Sequence, residues 1–244
     1  MWQRCPRDGT FSVDRTDLER SHGNPLLGAF VADRFGLIGI CGFGGSATVF
    51  EAWDEETRSS AAVKLVRFDA GCASARHALR NDWNASTELA EITGVPAARS
   101  FFDGSVGGVA FSAFARDLVP QLIGPPGSAD LVGWARVLHT AHGLGRVHGD
   151  VAPSHLMAGA IIDWGSSSTL DAVAPALGFH SRFASPELRR GEPASASSDW
   201  FGLAASVAAM ATPDLVAVLG IEGMLDPEAG RRVDAAMAWM AAHR

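Results

Sequence analysis

Short apolar runs separated by glycine-rich turns dominate the first half of the chain. Runs of this kind, rich in β-branched and aromatic residues, predict strands. We predict three strands over Phe35–Gly42, Thr48–Trp53 and Ala61–Val66, and two more over Ala98–Phe102 and Val109–Phe114. The first half of the chain is therefore predicted to be built mainly around a sheet.

Helical spacing occurs once among these strands and then dominates the second half. A helix is predicted over residues 76–93, because Ala85, Leu89 and Ile92 fall on one helical face. The segment 124–128, with the sequence GPPGS, is the strongest turn or linker signal. Beyond it, helices are predicted at about 129–144, 197–211, 214–224 and 228–243.

A β-rich half followed by a helical half is typical of an α+β architecture with two lobes. We expect the polar residues 1–26 to form a tail or a strap over one lobe. A small β-rich lobe is predicted over 27–123, and a mainly helical, shortened lobe over 128–244.

Composition and charge exclude several classes of protein. With 47% hydrophobic residues in 244, the chain can bury a sizeable core. A net charge of −7 argues against nucleic acid and against a polybasic membrane surface as partners. The cysteines Cys5, Cys41 and Cys72 form no CxxC pair, so we expect neither a zinc site nor disulfides, and a reducing cytoplasmic setting. The longest apolar run, Trp200–Ala211, is too short to span a bilayer.

Two features of the first half point to phosphate binding. The glycines of Gly42–Val49 would let backbone N–H groups approach phosphate oxygens without Cβ clashes, although a glycine hairpin without a ligand fits equally well. Lys64 lies on the third predicted strand. A lysine inside a sheet needs an anionic partner, which phosphates and a helix carboxylate would supply. An exposed strand lysine is the alternative.

Two aspartates in the second half are suited to phosphoryl transfer. Asp150, in the loop sequence HGDVAPSH, could orient a hydroxyl group and accept its proton. Asp163 follows a short apolar strand and could bind magnesium. The alternative for Asp163 is an ordinary turn-initiating aspartate followed by glycine.

These motifs, followed by Ala184–Glu187 and Ser198–Gly202, occur in the order in which protein kinases carry them. Over residues 35–235 the chain resembles a minimal, divergent bacterial Ser/Thr protein kinase of the eukaryotic-like type. The resemblance implies a two-lobed kinase-like fold that binds ATP and Mg²⁺ between its lobes. It also implies that Asp199 braces the catalytic-loop backbone. Glu187 would pair with Arg231 or Arg232.

The resemblance assigns catalytic roles to Lys64 and Asp150 and a metal-binding role to Asp163. Lys64 would hold the α- and β-phosphates, and Asp150 would orient the acceptor hydroxyl. The residues that it implies in nucleotide binding are Cys41, Gly42, Gly44, Gly45, Val49, Ala62, Lys64, Glu88 and His155.

Departures from the kinase pattern lie close to the transferred phosphate. In Ser/Thr kinases a lysine contacts this phosphate, and Ala152 occupies its position here. A threonine completes that contact in the family, and His180 or Ser181 stands near its position in this chain. His155 replaces an asparagine that helps to hold a second magnesium. A neutral imidazole is a poor ligand for this oxygen-seeking ion, although it could donate a hydrogen bond to a phosphate. Glu88 is favoured over Glu91 as the carboxylate partner of Lys64.

Three functions follow as expectations. The first is an ATP-dependent Ser/Thr kinase whose catalytic loop is degenerate. The second is a pseudokinase that binds a nucleotide or a protein partner with little turnover. The third is a small-molecule kinase, because His148–Asp150 and Ile162–Trp164 also resemble the aminoglycoside and choline phosphotransferases. The sequence identifies no protein substrate or partner.

Overall fold

The computed structural model describes residues 4–21, 23–44, 47–68, 72–174 and 178–243. The chain divides into two compact units, and each is described by itself. The first unit comprises residues 1–87 and 97–118, and the second comprises 88–96 and 119–244.

The first unit contains a six-stranded antiparallel sheet in which the first four strands along the chain lie side by side, followed by the sixth and then the fifth. All five predicted strands are present, and the structure adds a two-residue strand, β1, at the edge of the sheet. The strands are β1 (Phe30–Val31), β2 (Phe35–Phe43), β3 (Thr48–Asp54), β4 (Ser59–Arg67), β5 (Ala98–Val106) and β6 (Val109–Asp117).

The two faces of this sheet have different roles. Phe50, Val63 and Leu65 point to one face, where they belong to a buried apolar core. Because side chains alternate along a strand, Val66 lies on the opposite face together with Phe114 of the neighbouring strand. Helix α2 (Ala73–Glu88) packs on that second face.

Helix α2 (Ala73–Glu88) packs through Ala75 and Leu79 against the sheet. The predicted helix over 76–93 is wrong at its C-terminal end. Leu89 and Ile92 are buried as expected, but they lie in consecutive turns that end near Gly94. Gly94 has a φ of +99°, which a helix does not permit, so the apolar spacing continues beyond the helix itself.

The N-terminal segment packs on the first unit's sheet. Helix α1 (Arg15–Arg20) begins where the Asp14 side chain accepts a hydrogen bond from Thr16 N, at 2.7 Å. The Phe11 ring is 5% exposed and lies against the backbone of Gly36, where a side chain would collide with it. The part of 1–26 that the structure describes therefore contacts the sheet.

The second unit is mainly helical, with two pairs of two-residue strands. Its helices are α3 (Ser128–Gly143), α4 (Pro186–Arg189), α5 (Ala196–Met210), α6 (Pro213–Leu219) and α7 (Ala229–Ala242). Its strands are β7 (Arg146–Val147), paired with β10 (Ser168–Thr169), and β8 (Leu156–Met157), paired with β9 (Ala160–Ile161). The predicted helices at 129–144, 197–211 and 228–243 are confirmed to within one residue at each end. The predicted helix at 214–224 is shorter, and a 3₁₀ turn over Glu222–Leu225 follows it.

Helix α5 forms the centre of this unit. Trp200, Leu203 and Val207 are buried along it. Gly202 brings the helix so close to Val151 that a Cβ atom would lie 2.9 Å from the Val151 carbonyl oxygen. The packing of α5 therefore fixes the loop that contains Asp150. Among the residues that the structure describes, none of the helices has the length and apolarity needed to cross a membrane.

Candidate functional site

The glycine-rich segment connects β2 to β3 as a hairpin. Gly42 is paired with Val49, and the N–H of Gly44 donates to the Ala47 carbonyl oxygen at 2.8 Å. Gly45, which the resemblance implies in phosphate binding, lies outside the described residues, as does Ser46. The described residues on either side of 45–46 thus form the antiparallel strand pair that the sequence predicts.

The strand register places Lys64 beside this hairpin. Val49 lies opposite Lys64 across β3 and β4, and directly opposed residues in an antiparallel pair share a face. Ala62, two residues earlier on β4, shares that face and is 2% exposed. The sheet therefore places on one face three residues that the resemblance implies in nucleotide binding, Val49, Ala62 and Lys64.

Cys41 is half-buried on β2, next to Gly42. Burial raises the pKa of its thiol to about 11, and the negative charge of Glu51 adds to this effect. The thiol is therefore protonated at neutral pH, which suits a packing contact and not a nucleophile.

Lys64 forms an ion pair with Asp82 of α2, with 2.9 Å between Nζ and Oδ2. The two side chains are only 13% and 2% exposed. The expectation that Glu88 pairs with Lys64 is wrong, because Glu88 bonds Arg146 and its side chain is more than half exposed. Asp82 lies three residues from both Leu79 and Ala85, on the buried stripe of the helix, whereas Glu88 is the last residue of α2.

Lys64 is also the only lysine in the sequence. The 20 basic residues counted as Lys and Arg are otherwise all arginine. An ammonium group is a compact point charge, whereas a guanidinium is a wide planar fork. The single departure from arginine falls where the cation is only 13% exposed and pairs with the Asp82 carboxylate.

In the second unit, Asp199 holds the backbone of the loop that contains Asp150. Its Oδ2 accepts the N–H of His148 at 2.8 Å, and its Oδ1 accepts the N–H of Gly149 at 2.9 Å. His142 of α3 contacts the same Oδ2 through Nε2 at 2.9 Å. Asp199 lies in the first turn of α5, where the helix dipole favours a carboxylate. The brace that the resemblance implies at Asp199 is confirmed.

The His148 ring connects this loop to the segment before Asp163. Its Nδ1 accepts the N–H of Asp150 at 3.2 Å, and its Nε2 donates to the Ile162 carbonyl oxygen at 3.1 Å. The ring is fully buried, 4.7 Å from the ring of Trp164. Because both nitrogens are engaged, His148 fixes the spacing between the two loops.

The Asp150 carboxylate is already hydrogen-bonded by His180. The His180 N–H donates to Oδ1 at 2.7 Å, and its ring Nδ1 lies 2.9 Å from Oδ2. The Asp150 side chain is 12% exposed, whereas that of His180 is about half exposed. An acceptor hydroxyl that approaches Asp150 would therefore compete with His180.

His155 lies between the two aspartates. Its Nδ1 donates to the Asp150 carbonyl oxygen at 2.8 Å, and its Nε2 is 3.6 Å from Asp163 Oδ2. Burial lowers the pKa of His155, against the neighbouring charges of Asp163 and Asp150, which would raise it. The imidazole is therefore neutral near pH 7, and its Nε2 presents a lone pair toward Asp163.

Asp163 has a left-handed backbone, with a φ of +64°. Aspartate adopts this conformation more readily than most non-glycine residues, and three non-glycine residues of the first unit share it. Its side chain is about one-third exposed, so it remains accessible to a ligand. The structure thus brings Asp150, His155 and Asp163 together.

These residues fit magnesium only in part. Asp163 offers the carboxylate oxygens that Mg²⁺ prefers. His155, in the position of the asparagine oxygen, offers a nitrogen, which suits this ion poorly. The chemistry of the Asp163 carboxylate suits magnesium, and that of the His155 imidazole does not, as expected from the sequence. Magnesium binding at Asp163 stays a prediction.

Glu187 and Arg232 form a buried ion pair in which both carboxylate oxygens accept from Nη2, at 2.9 and 2.8 Å. The sequence left Arg231 and Arg232 open as partners of Glu187. Arg231 is exposed and contacts Asp226 and Glu228. Arg232 is fully buried in α7, and is therefore the partner.

Sequence reasoning missed Asp82 and the ring contacts of His148. Asp82 could have been found, because it interrupts the apolar stripe of α2. The role of His148 depends on a contact with Ile162, far along the chain, and no local pattern indicates it. No protein-family model matches the chain, and no curated protein matches it.

Proposed function

We propose that the chain is an ATP-dependent phosphotransferase with a protein kinase-like fold, and that it transfers phosphate to a Ser or Thr hydroxyl. The observation that carries the proposal is the buried pair of Lys64 and Asp82 on the sheet face shared with Val49 of the glycine hairpin. A lysine is costly to bury, so its presence here in an otherwise lysine-free chain favours a phosphate ligand.

Each residue has one role in this proposal. The hairpin Gly42–Val49 would cover the nucleotide, and Cys41 and Ala62 would pack against its base. Lys64, oriented by Asp82, would bind phosphate oxygens. A magnesium ion held by Asp163 would neutralise charge on the phosphates.

Asp150 would accept the proton of the attacking hydroxyl through its carboxylate. For this, the hydroxyl must take the place of His180 as a hydrogen-bond donor to Asp150. Ala152, fully buried, provides no cation at the transferred phosphate. Losing one such charge costs about 3 kcal/mol of transition-state stabilisation, so slow turnover is expected.

One observation favours a second candidate, a nucleotide-binding pseudokinase. The backbone N–H of His180 donates to the Asp150 carboxylate, and its ring Nδ1 contacts both carboxylate oxygens. In this case the nucleotide would bind with no transfer, and the Asp150 loop would serve as a fixed surface.

An ATP analogue with a reactive acyl phosphate tests nucleotide binding, because it acylates a lysine that lies at the phosphates. As Lys64 is the only lysine, mass spectrometry reads the result at one residue. We expect acylation of Lys64 that excess ATP prevents. Acylation that ATP leaves unchanged would overturn the proposal.

Transfer is tested separately with radiolabelled ATP and Mg²⁺, using the chain itself, a generic protein substrate, and a panel of aminoglycosides and choline as acceptors. Transfer that vanishes in Asp150→Asn supports the phosphotransferase. ATP protection of Lys64 with no transfer to any acceptor supports the pseudokinase. Transfer only to the small molecules would assign the chain to the small-molecule kinases.

A further inference from the structure

The side chains around Asp150 form a mixed nitrogen and oxygen cluster. Asp150, His155 and His180 each place one potential ligand atom within 4.8 Å of the others. Asp163 lies on the other side of His155, with 3.6 Å between its Oδ2 and Nε2 of the ring. These positions decide which atoms could share a metal ion.

Hydrogen bonds identify the available nitrogen of His155. A backbone carbonyl oxygen can only accept, so the 2.8 Å contact to the Asp150 carbonyl requires a proton on Nδ1. Nε2, which faces Asp163, is then the ring nitrogen that a metal ion would take, and binding the ion would release any proton on it. A histidine ligand that donates its other N–H to a carbonyl is typical of metal sites, because this bond fixes the tautomer and the ring orientation.

The spacing between Nε2 and Asp163 Oδ2 also fits a shared ion. Two ligands that each lie about 2.1 Å from one ion are separated by about 3–3.5 Å, close to the 3.6 Å observed. The His155 side chain is 8% exposed, so the ring is held in place from the other sides. His180 is less suited, because its Nδ1 and its N–H already contact the Asp150 carboxylate.

We propose that His155 Nε2 and the Asp163 carboxylate form a binding site for a first-row transition-metal dication, such as Mn²⁺ or Co²⁺, in preference to Mg²⁺. An imidazole nitrogen stabilises these ions more than it stabilises Mg²⁺, which prefers oxygen ligands throughout. The remaining coordination positions would be open to water or phosphate oxygens. This inference refines the proposed function, since it concerns the ion at Asp163, but it is tested without nucleotide or transfer.

The first experiment titrates MnCl₂ and MgCl₂ separately into the 244-residue chain and follows binding by calorimetry. Electron spin echo envelope modulation of the bound Mn²⁺ then reports whether a nitrogen is a ligand. We expect Mn²⁺ to bind at least about tenfold more tightly than Mg²⁺, with a nitrogen coupling typical of imidazole. Equal or tighter Mg²⁺ binding, or bound Mn²⁺ without the nitrogen coupling, would overturn the proposal. Neither result depends on a variant.

Three substitutions locate the site. His155→Asn keeps an oxygen ligand and removes the imidazole, so it should abolish the nitrogen coupling and weaken Mn²⁺ binding about tenfold or more, while Mg²⁺ binding is unchanged or tighter. The matched control is His139→Asn, an exposed histidine on α3, which should change neither. If the coupling persists in His155→Asn and disappears in His180→Asn, the ion is bound at Asp150 and His180, and the proposed ligand pair is wrong.

The metal result and the proposed function can fail independently. Tight Mn²⁺ binding with no ATP protection of Lys64 would support the metal site and overturn the phosphotransferase. ATP protection of Lys64, transfer that vanishes in Asp150→Asn and an oxygen-only Mg²⁺ site would together support the phosphotransferase and overturn the metal proposal.

Discussion

Lys64 and Asp82 form a 2.9 Å ion pair that is nearly inaccessible to solvent. The lysine comes from a central strand and the aspartate from the buried stripe of α2, so both backbones are fixed independently of the pair. Breaking a buried ion pair from one side leaves a charge without its partner in a low-dielectric setting, which is far more costly than losing a surface pair.

Asp82→Asn should therefore lower the free energy of unfolding by roughly 3–5 kcal/mol. Chemical denaturation of the purified chain measures this change. Glu88→Gln is the matched control, because Glu88 lies on the same helix but is more than half exposed, and its loss should cost less than about 1 kcal/mol. Equal losses of unfolding free energy in the two variants would show that the Lys64–Asp82 pair stabilises the fold no more than an exposed pair does. ATP protection of Lys64 should also weaken in Asp82→Asn and persist in Glu88→Gln.

Asp199→Asn tests the brace of the Asp150 loop. An asparagine retains one acceptor oxygen, but its NH₂ group would face one of the two N–H groups that Asp199 now accepts. We expect a loss of roughly 2–3 kcal/mol in unfolding free energy, the range for charged hydrogen bonds left unmade. Asp234→Asn on α7 should be close to neutral. A stable Asp199→Asn variant would contradict the assigned role.

The pair of Glu187 and Arg232 offers a comparison between adjacent arginines. Arg232→Met would leave the Glu187 carboxylate buried without its partner, and we expect a loss of roughly 3–5 kcal/mol. Arg231→Met removes only exposed contacts and should cost less than about 1 kcal/mol. Thermal and urea denaturation measure the loss of unfolding free energy in each variant. If the two losses are similar, the buried pair contributes no more than the surface one.

The lowered pKa of Asp54 predicts how the unfolding free energy depends on pH. Burial alone would raise the pKa of this carboxyl, but hydrogen bonds from Arg34 and Thr57 outweigh burial and hold it well below its usual value. Its pKa is thus lower in the folded than in the unfolded chain, where it is about 3.9. The stabilisation is present above that pH, and it is lost as the pH falls toward the folded-state value.

Unfolding free energies measured between pH 6 and pH 2.5 should decrease toward acid in the native chain. In Asp54→Asn the chain should be less stable at pH 6, and the decrease toward acid should be smaller. An unchanged slope in this variant would show that other carboxyl groups control the acid response.

The sheet could be predicted well from sequence, because its strands are short apolar runs bounded by glycine and polar turns. All five predicted strands were found, and only the edge strand β1, two residues long, gave no pattern. The C-terminal end of α2 was misplaced, since Leu89 and Ile92 are buried by turns whose apolar residues keep a helical spacing. Periodicity reports which residues are buried, and it does not distinguish a helix from a following turn.

The candidate site could be predicted residue by residue but not contact by contact. Asp150 and Asp163 are predicted from their loops and His155 from the kinase resemblance, and the structure brings the three together. The choice of Asp82 over Glu88 depended on the exact end of a helix, and the choice of Arg232 over Arg231 on which face of α7 is buried. Contacts of this kind are set by tertiary packing, for which the local sequence gives only candidates.

Asp199 gives the second unit a cooperative character. One carboxylate holds two backbone amides of the Asp150 loop and a ring from α3, while its own backbone is the first turn of α5. The N–H groups of His148 and Gly149 can therefore lose their hydrogen bonds only when the loop separates from the first turn of α5. In native-state hydrogen exchange they should behave as members of the slowest-exchanging helical core, although they lie in a loop.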